Sequence, residues 1–251
     1  MANLTLPGVD IRRADSRAAT DIGWLDSKHS FAFGGHWDPD NTHHGLLLVN
    51  NDDKVAAGTG FETHPHRDME IVTWVLGGSL VHQDSEGNSG VLYPGLAQRM
   101  SAGTGILHSE KNDSWRIGGE RHDDPVHFVQ MWVVPDERGI VPGYEQSEID
   151  AAVLASGLVP VASGNPEHDA AIRIRNRYAT LWAARLAPGE AVDVPDAPFV
   201  HLFVPRGTVD LDGAGPLAQG DAARLAGRGG RLTATTDAEV LVWEMHATIS
   251  G

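Results

Sequence analysis

Two histidines separated by one proline stand in residues 58–78, GTGFETHPHRDMEIVTWVLGG. Because residues i and i+2 of a β-strand project to the same face, His64 and His66 would point together and Pro65 away. Two imidazoles on one face can bind one metal ion when further ligands arrive from another segment. An isolated His-x-His pair is more often a surface or cross-strand pair, so a second set of ligands is needed.

A second pair of possible ligands occurs in residues 100–112, where His108 and Glu110 are again two positions apart after a glycine-rich turn. If the two pairs lie on facing strands, they form a site of three histidines and one glutamate. Such a site suits Fe(II), Cu(II), Ni(II), Mn(II) or Zn(II) and disfavours Ca(II). Four protein ligands on an octahedral ion leave two positions for substrate, water or dioxygen.

The composition excludes several other kinds of site. The chain has no cysteine, which rules out disulfides, cysteine-based zinc and iron–sulfur sites and cysteine nucleophiles. It carries 19 Lys+Arg against 34 Asp+Glu, a formal net charge of -15, and such a surface repels nucleic-acid phosphates and anionic lipid. We therefore expect no direct nucleic-acid partner and no membrane partner.

The sequence also predicts where the protein works. The first twenty residues contain no apolar segment of the kind found in secretory signals, and no run of 18 apolar residues occurs. We therefore expect a cytoplasmic protein. No heptad pattern or obvious interface segment occurs, so we expect a monomer.

Strand and turn signals dominate the elements that must position these ligands. The 29 Gly and 14 Pro recur between short apolar runs, which predicts an all-β chain. We predict strands over residues 45–49, 70–76, 79–83, 91–93, 98–100 and 126–135. Residues 50–53 read as a turn, residues 84–90 as a hairpin loop, and residues 12–19 as a short helix or turn. A short helix is predicted over 148–155, with Ser147 as its N-cap.

The second half of the chain echoes the first. Residues 74–80, WVLGGSL, can be laid over residues 203–209, FVPRGTV, at an offset of 129, the difference between positions 203 and 74. A long offset of this kind indicates a duplicated domain. We therefore predict two tandem jelly-roll β-barrels with short helices.

The same offset places His64 and His66 on Asp193 and Pro195, so the second copy has lost the imidazoles. We predict an N-terminal barrel with the metal site over residues 1–140. A connector with a short helix follows over 141–155. A C-terminal barrel that lacks metal ligands covers 156–251.

The first histidine segment fits a motif of the cupins, G(X)5HXH(X)3E(X)6G, with Gly58, His64, His66, Glu70 and Gly77 in place. The second segment fits the other cupin motif more loosely. There Gly105, His108 and Asn112 stand in place, but Gly103 occupies a position where many cupins have proline.

More specifically, four segments closely resemble the pirin family and its bacterial pirin-like quercetin 2,3-dioxygenases. They are HPHRDMEIVTWVLGG, HQDSEGNSG, MSAGTGILHSE and QMWVVPDERGIVPGYEQ. The resemblance runs from about Ser30 to about Gln146 and continues weakly through the second half.

This resemblance implies a bicupin whose first barrel holds one divalent transition metal. The ligands carried over by motif are His64, His66, His108 and Glu110. Fe(II) is the ion that we expect first, with Cu, Ni, Co, Mn and Zn as alternatives. Glu70 is a ligand in many other cupins but usually not in pirins, so we expect it to make a hydrogen bond or salt bridge outside the ligand set.

The resemblance also implies an enzyme that cleaves flavonol-like aromatics such as quercetin with O2 and releases CO. Glu110 would act as the general base, because a ligating carboxylate lies within reach of the substrate hydroxyl. Other pirins, notably in animals, are iron-dependent transcriptional co-regulators. The alternative is therefore a metal- or redox-dependent regulatory protein that binds a protein partner without turnover.

Overall fold

The computed structural model describes residues 8–113 and 121–249, and this part of the chain is almost entirely β-structure. The N-terminal strands are β1 (Val9–Arg12), β2 (Ala18–Asp21), β3 (Leu25–His29), β4 (Leu47–Val55), β5 (Thr59–His66), β6 (Glu70–Gly77), β7 (Leu80–Asp84), β8 (Ser89–Leu92), β9 (Leu96–Ser101), β10 (Ile106–Asn112), β11 (Val126–Val133) and β12 (Gly143–Glu148). A 3-10 turn covers Ala14–Ser16, within the segment predicted as a short helix or turn.

The C-terminal half begins with one short helix, α1 (Ala151–Leu154). Its strands are β13 (Val159–Ser163), β14 (Ile172–Arg173), β15 (Ala179–Leu186), β16 (Ala191–Val194), β17 (Phe199–Arg206), β18 (Thr208–Leu211), β19 (Gly215–Ala218), β20 (Ala222–Ala226), β21 (Gly230–Ala234) and β22 (Ala238–Met245). No helix in the described ranges is long and apolar enough to cross a membrane.

Each half contributes one large and one small sheet. The first large sheet has the order β12-β9-β6-β11-β4-β3-β2, and the first small sheet the order β5-β10-β7-β8. The second large sheet has the order β1-β20-β17-β22-β15-β13-β14, and the second small sheet the order β16-β21-β18-β19. The two small sheets match strand for strand, and β6 lies between β9 and β11 as β17 lies between β20 and β22. The predicted all-β bicupin architecture is therefore confirmed.

The apolar side chains form separate barrel cores and one core that the halves share. Val75, Leu80 and Phe128 pack inside the first barrel, whereas a cluster around Val209, which β1 joins through Val9, fills most of the second barrel. Along β6 and β11 every second side chain points away from the interior of the first barrel. These side chains, Trp74 and Met131 among them, pack against C-terminal residues in the shared core.

One predicted turn is wrong. Residues 50–53, Asn-Asn-Asp-Asp, lie inside strand β4, where they pair with β3 on one side and β11 on the other. Polar residues signal a turn when their side chains need water. Here Asn51 and Asp53 are buried and face a polar barrel interior instead.

The connector is also more ordered than predicted. Residues 143–148 form β12, which pairs antiparallel with β9 at the edge of the first large sheet. The helix therefore starts later, and its N-cap is Asp150 rather than Ser147, with the Asp150 carboxylate accepting from Ala152 N at 2.7 Å. At the other end of the chain, β1 pairs with β20 in the second large sheet. Two edge strands thus cross the boundaries drawn from sequence, and the division into 1–140, 141–155 and 156–251 stays a prediction.

Candidate metal centre

The two predicted ligand segments are neighbouring antiparallel strands, β5 and β10. His108 lies directly opposite His64, and Ile106 lies opposite His66. The register shifts between His108 and Glu110, which marks a β-bulge in this pair. Strand alternation and this register bring the three histidines to one face, turned toward the barrel interior.

The three imidazoles, called here the imidazole cluster, lie close together. The ring centroids of His64 and His66 are 4.9 Å apart, those of His64 and His108 4.4 Å, and those of His66 and His108 4.9 Å. One ring nitrogen from each residue can be chosen so that all three lie within 4.8 Å of one another. This spacing fits three ligands on one ion, because metal–nitrogen bonds of about 2.0–2.1 Å place such nitrogens roughly 3–4 Å apart.

The ring nitrogens are arranged as metal ligands need to be. Nδ1 of His64 lies 2.7 Å from the backbone oxygen of Glu62, so Nδ1 donates there and Nε2 keeps its lone pair. Nε2 of His66 and Nε2 of His108 are buried and have no hydrogen-bond partner within the described residues. A buried, unpartnered nitrogen costs free energy unless something binds it, so the cluster fits a metal ion.

The protonation states of His66 and His108 also suit the binding of a cation. Burial, followed by the nearby imidazoles of His108 and His64, lowers the pKa of His66 to about 4. Burial, followed by His64 and His82, lowers the pKa of His108 to about 3. Both rings are therefore neutral at pH 7, and their lone pairs are available without prior loss of a proton.

Glu110 is buried beside the cluster but not within it. Its Oε2 accepts a hydrogen bond of 2.7 Å from the Gln130 amide, whose Oε1 accepts from Trp132 Nε1 at 3.1 Å. Glu110 forms a second group of possible ligands with His82 and His108, again with ligand atoms within 4.8 Å. The structure thus brings the four predicted ligands together in two overlapping groups that share His108.

Glu70 points away from the imidazole cluster. It is fully buried, and its Oε2 accepts from Ser101 Oγ at 2.8 Å and from the backbone nitrogen of Arg175 at 3.0 Å. Alternation along β6 places it on the face of Trp74, which contacts the C-terminal half. Its contacts are those of a carboxylate that joins the two halves, as expected for a residue outside the ligand set.

Several buried polar residues around the site belong to no recognisable sequence motif. A row of cross-strand neighbours runs across the first large sheet: His29, Asn51, Gln130, Thr73 and Gln98. All five are buried, but only β6 and β11 of their strands are largely apolar. A polar residue at an inward position of an apolar strand is the signal that could have found Thr73 and Gln130.

His82 and Asp53 complete this polar interior. His82 is fully buried, whereas its neighbour Gln83 is exposed. Asp53 is also buried, and burial raises its pKa to about 7, with further upward contributions from Asp52 and Glu110.

Aromatic rings line the approach to the imidazole cluster. Trp132 packs edge-on against His66 with a centroid distance of 4.8 Å, and Phe33 packs edge-on against Trp132 at 5.6 Å. Phe61 lies 6.4 Å from His64. The surroundings therefore combine polar groups inside the barrel with flat apolar surfaces around the cluster.

The equivalent strand pair of the second half carries no such ligands. In β16 and β21 the inward side chains are Val192, Val194 and Leu232, which belong to an apolar core. Asp193, which the sequence offset aligned with His64, points outward and its side chain is 80% exposed. Among the described residues, both groups that could hold a metal lie in the first half.

Comparisons with known proteins identify the class to which this fold and site belong. Residues 11–133 match the family model described as Pirin. A Mycobacterium tuberculosis protein named "Putative quercetin 2,3-dioxygenase Rv0181c" is 61% identical over 242 residues, with 96% of each chain covered. An Escherichia coli K12 protein named "Quercetin 2,3-dioxygenase" is 36% identical, with 94% of this chain and 97% of its own covered.

Solved structures agree with these relatives. The bacterial pirin YhhW of Escherichia coli, in complex with nickel(II), superposes with a TM-score of 0.83 at 33% identity, covering 96% of this chain and 100% of its own. A second crystal structure of YhhW gives a TM-score of 0.85 at 34% identity, covering 97% and 100%. The chain belongs to the pirin family.

Proposed function

We propose that the protein is a metal-dependent dioxygenase that cleaves flavonol-like aromatics with O2 and releases CO. The observation that carries the proposal is the convergence of three imidazoles, two of which bury an unpartnered Nε2. The names of the relatives supply the reaction class. The metal of the YhhW complex is nickel(II), and Fe(II) remains the ion that we expect first in this chain, with Cu, Ni, Co, Mn and Zn as alternatives.

The proposed ligands are His64, His66, His108 and Glu110. When bound, a divalent ion would lower the pKa of a substrate hydroxyl and stabilise the resulting anion. Glu110 is the group that would take the hydroxyl proton, since its carboxylate lies within 4.8 Å of a ring nitrogen of His108. The Gln130 amide donates to Oε2 of Glu110 and so fixes the orientation of the carboxylate.

The aromatic residues around the cluster favour a flat substrate. Trp132 and Phe33 offer ring surfaces beside His66, and Phe61 offers another beside His64. Aromatic rings pack favourably edge-on or offset against one another, with centroids about 4.5–7 Å apart. A fused aromatic with an acidic enolic hydroxyl could lie between these rings and present that oxygen to the cluster.

A regulatory role is the second candidate, and one surface feature favours it. Beside β5 and β10 an open depression is lined mainly by apolar residues, including Pro65 and Leu107, and also by His66 of the imidazole cluster. Leu107 is 47% exposed. An apolar surface next to a metal-binding strand pair could contact a protein partner and respond to the metal.

One experiment separates the two candidates. Untagged protein is analysed for metals by ICP-MS, then mixed with quercetin while O2 uptake and the flavonol absorption band are followed. We expect about one metal per chain, because the two groups of possible ligands share His108, and O2 uptake that matches quercetin loss. One bound metal with no uptake after reconstitution with Fe, Cu, Ni, Co or Mn would contradict the dioxygenase and favour the regulatory role.

A further inference from the structure

A fourth imidazole, that of His82, lies behind the imidazole cluster. Strand β7 pairs with β10 so that His82 is opposite Glu110 and Asp84 is opposite His108. The rings of His82 and His108 have a centroid distance of 5.3 Å. On its other side, His82 stacks on Tyr144 at 4.9 Å and 28°, so its ring is held between two neighbours.

Hydrogen bonds connect His108, His82 and Asp84 in a line. Nδ1 of His82 lies 3.5 Å from Nδ1 of His108, at the long end of the hydrogen-bond range, and Nε2 of His82 lies 3.2 Å from Oδ2 of Asp84. The carboxylate of Asp84 is itself fixed, because Oδ1 accepts from the backbone nitrogens of Glu86 and Asn88 at 3.0 Å each.

The chemistry of the three groups determines which atom donates in each of these hydrogen bonds. Burial of Asp84 acts to raise its pKa, but its hydrogen bonds with Asn88 and His82 outweigh this and lower the pKa of Asp84, so the carboxylate is ionised. An ionised carboxylate only accepts, so in the neutral form of His82 Nε2 carries the proton and Nδ1 is left as an acceptor. Nδ1 of His108 then donates, and Nε2 of His108 keeps its lone pair.

This assignment leaves the lone pair of Nε2 of His108 free to bind a metal ion. Nε2 of His108 is buried and has no hydrogen-bond partner among the residues described. Without His82, either ring nitrogen of His108 could carry the proton. The tautomer protonated at Nε2 cannot bind a metal through that atom.

We propose that Asp84 and His82 are positioning residues that fix the tautomer and the ring orientation of His108 for metal binding. This inference rests on the proposed metal site. It differs from the other geometric possibility, in which His82 is itself a ligand in a group with His108 and Glu110. The facing Nδ1 atoms of His82 and His108 favour a hydrogen bond between the rings.

The first test is the affinity for Ni²⁺, measured by competition with a chromophoric chelator. His82→Leu removes the acceptor for His108, and we expect binding about 10–100-fold weaker, as is typical when a hydrogen-bond partner of a metal ligand is lost. His82→Gln should restore most of the affinity, since Oε1 of glutamine can accept from His108 and its amide can donate to Asp84. His201→Leu is the matched control, because His201 is also fully buried but lies outside this line.

Two results would overturn the proposal. Equal Ni²⁺ affinity in the His82→Leu and wild-type proteins would show that His82 does nothing for the metal. Loss of binding as complete as in His108→Ala, with no rescue by His82→Gln, would make His82 a ligand. Absence of Ni²⁺ binding by the wild-type protein would instead contradict the metal site itself.

The second test reads the tautomer without any metal. Nitrogen-15 NMR of histidine-labelled, metal-free protein, with His108 assigned from the spectrum of His108→Ala, reports which ring nitrogen carries the proton. We expect the Nδ1–H form for His108 in the wild-type protein and in His82→Gln, and a mixture of both forms in His82→Leu. A wild-type His108 protonated at Nε2 would contradict the inference, whatever the result with Ni²⁺.

Discussion

Two buried carboxylates, those of Glu110 and Glu70, have different roles: one belongs to the candidate site and the other joins the two halves of the chain. Glu110 accepts a hydrogen bond from a side chain of its own barrel, Gln130, and lies next to His108. Glu70 accepts from Ser101 and from the backbone of Arg175 in the other half. Both are glutamates in cupin-like motifs, but strand alternation turns one toward the imidazole cluster and the other away.

Metal content is therefore expected to respond differently to these residues. His64→Ala and His108→Ala each remove a nitrogen from the cluster, and both should abolish metal binding as measured by ICP-MS. Glu70→Gln should keep nearly full metal content, while its lost charge-assisted hydrogen bonds lower stability by about 1–3 kcal/mol. A metal-free Glu70→Gln protein that remains folded would show that the ligand carboxylate had been assigned to the wrong residue.

Asp53 leads to a prediction about pH. Its pKa in the folded protein is about 7, against an ordinary value of 3.8, so between these limits the folded chain holds a proton that the unfolded chain has released. Wild-type stability should then fall as pH rises, by up to about 1.4 kcal/mol per pH unit from this group. Asp53→Asn cannot release a proton, so its stability relative to wild type should improve as pH rises from about 4 to about 7.

Urea unfolding of metal-free protein across that pH window would measure this difference. Asp26→Asn, on the same sheet but exposed, is the control for removing a negative charge from this region. A difference between the Asp53→Asn and wild-type proteins that is flat with pH would show that Asp53 is ionised in the folded state throughout.

At the scale of strands and turns, the sequence predicts best where one physical cause dominates. Strand β6 is a continuous apolar run because both of its faces are buried, and the predicted range 70–76 matches Glu70–Gly77. Strand β4 was missed in part, because Asn51 and Asp53 belong to the polar barrel interior and look like turn residues in sequence.

The candidate site shows the same limit. The ligand segments could be recognised from their i and i+2 spacing, which is local. His82 and Gln130 could not be assigned, because their roles depend on which strands are neighbours and in which register. Register is set by long-range pairing that no short segment contains.

The pairing of β5 with β10 depends on a glycine, and this can be tested. A Cβ on Gly60 would collide with the backbone of Glu110 and would lie 2.6 Å from Cα of Lys111. Gly60→Ala should therefore push the two strands apart, lower the free energy of unfolding by about 1–3 kcal/mol and weaken metal binding. Chemical denaturation and metal analysis of the same samples measure both effects.

Gly35→Ala is the matched control for that change. A Cβ on Gly35 would have no heavy atom within 4 Å. The free energy of unfolding should therefore change by no more than a few tenths of a kcal/mol, and the metal content should stay the same. Equal behaviour of the two variants would mean that β5 and β10 can separate at this point without disturbing the cluster.

At the scale of the whole molecule, the two halves are joined through their interiors as well as by the chain. Trp74 Nε1 donates to Oε1 of Glu239 at 2.6 Å, and Trp243 Nε1 donates to Sδ of Met131 at 3.2 Å. All four residues are buried, and Trp74, Met131 and Trp243 belong to the shared core. The half without metal ligands thus covers the outer face of the sheet whose inner face supports the imidazole cluster.

This sharing predicts that the N-terminal barrel does not fold alone, although it holds all four proposed ligands. A fragment of residues 1–140 would expose Trp74 and Met131 to water, and it would lack β12, which protects the edge of β9. We expect it to aggregate or to show no cooperative thermal transition, whereas the full chain should unfold in a single one.

A fragment of residues 1–149 restores β12 and so separates the loss of edge protection from the exposure of the shared core. Because it still exposes the shared core, it too should fail to fold. A sharp transition and bound metal in the 1–149 fragment would show that the second half is dispensable for the site, and that edge protection alone had limited the shorter fragment.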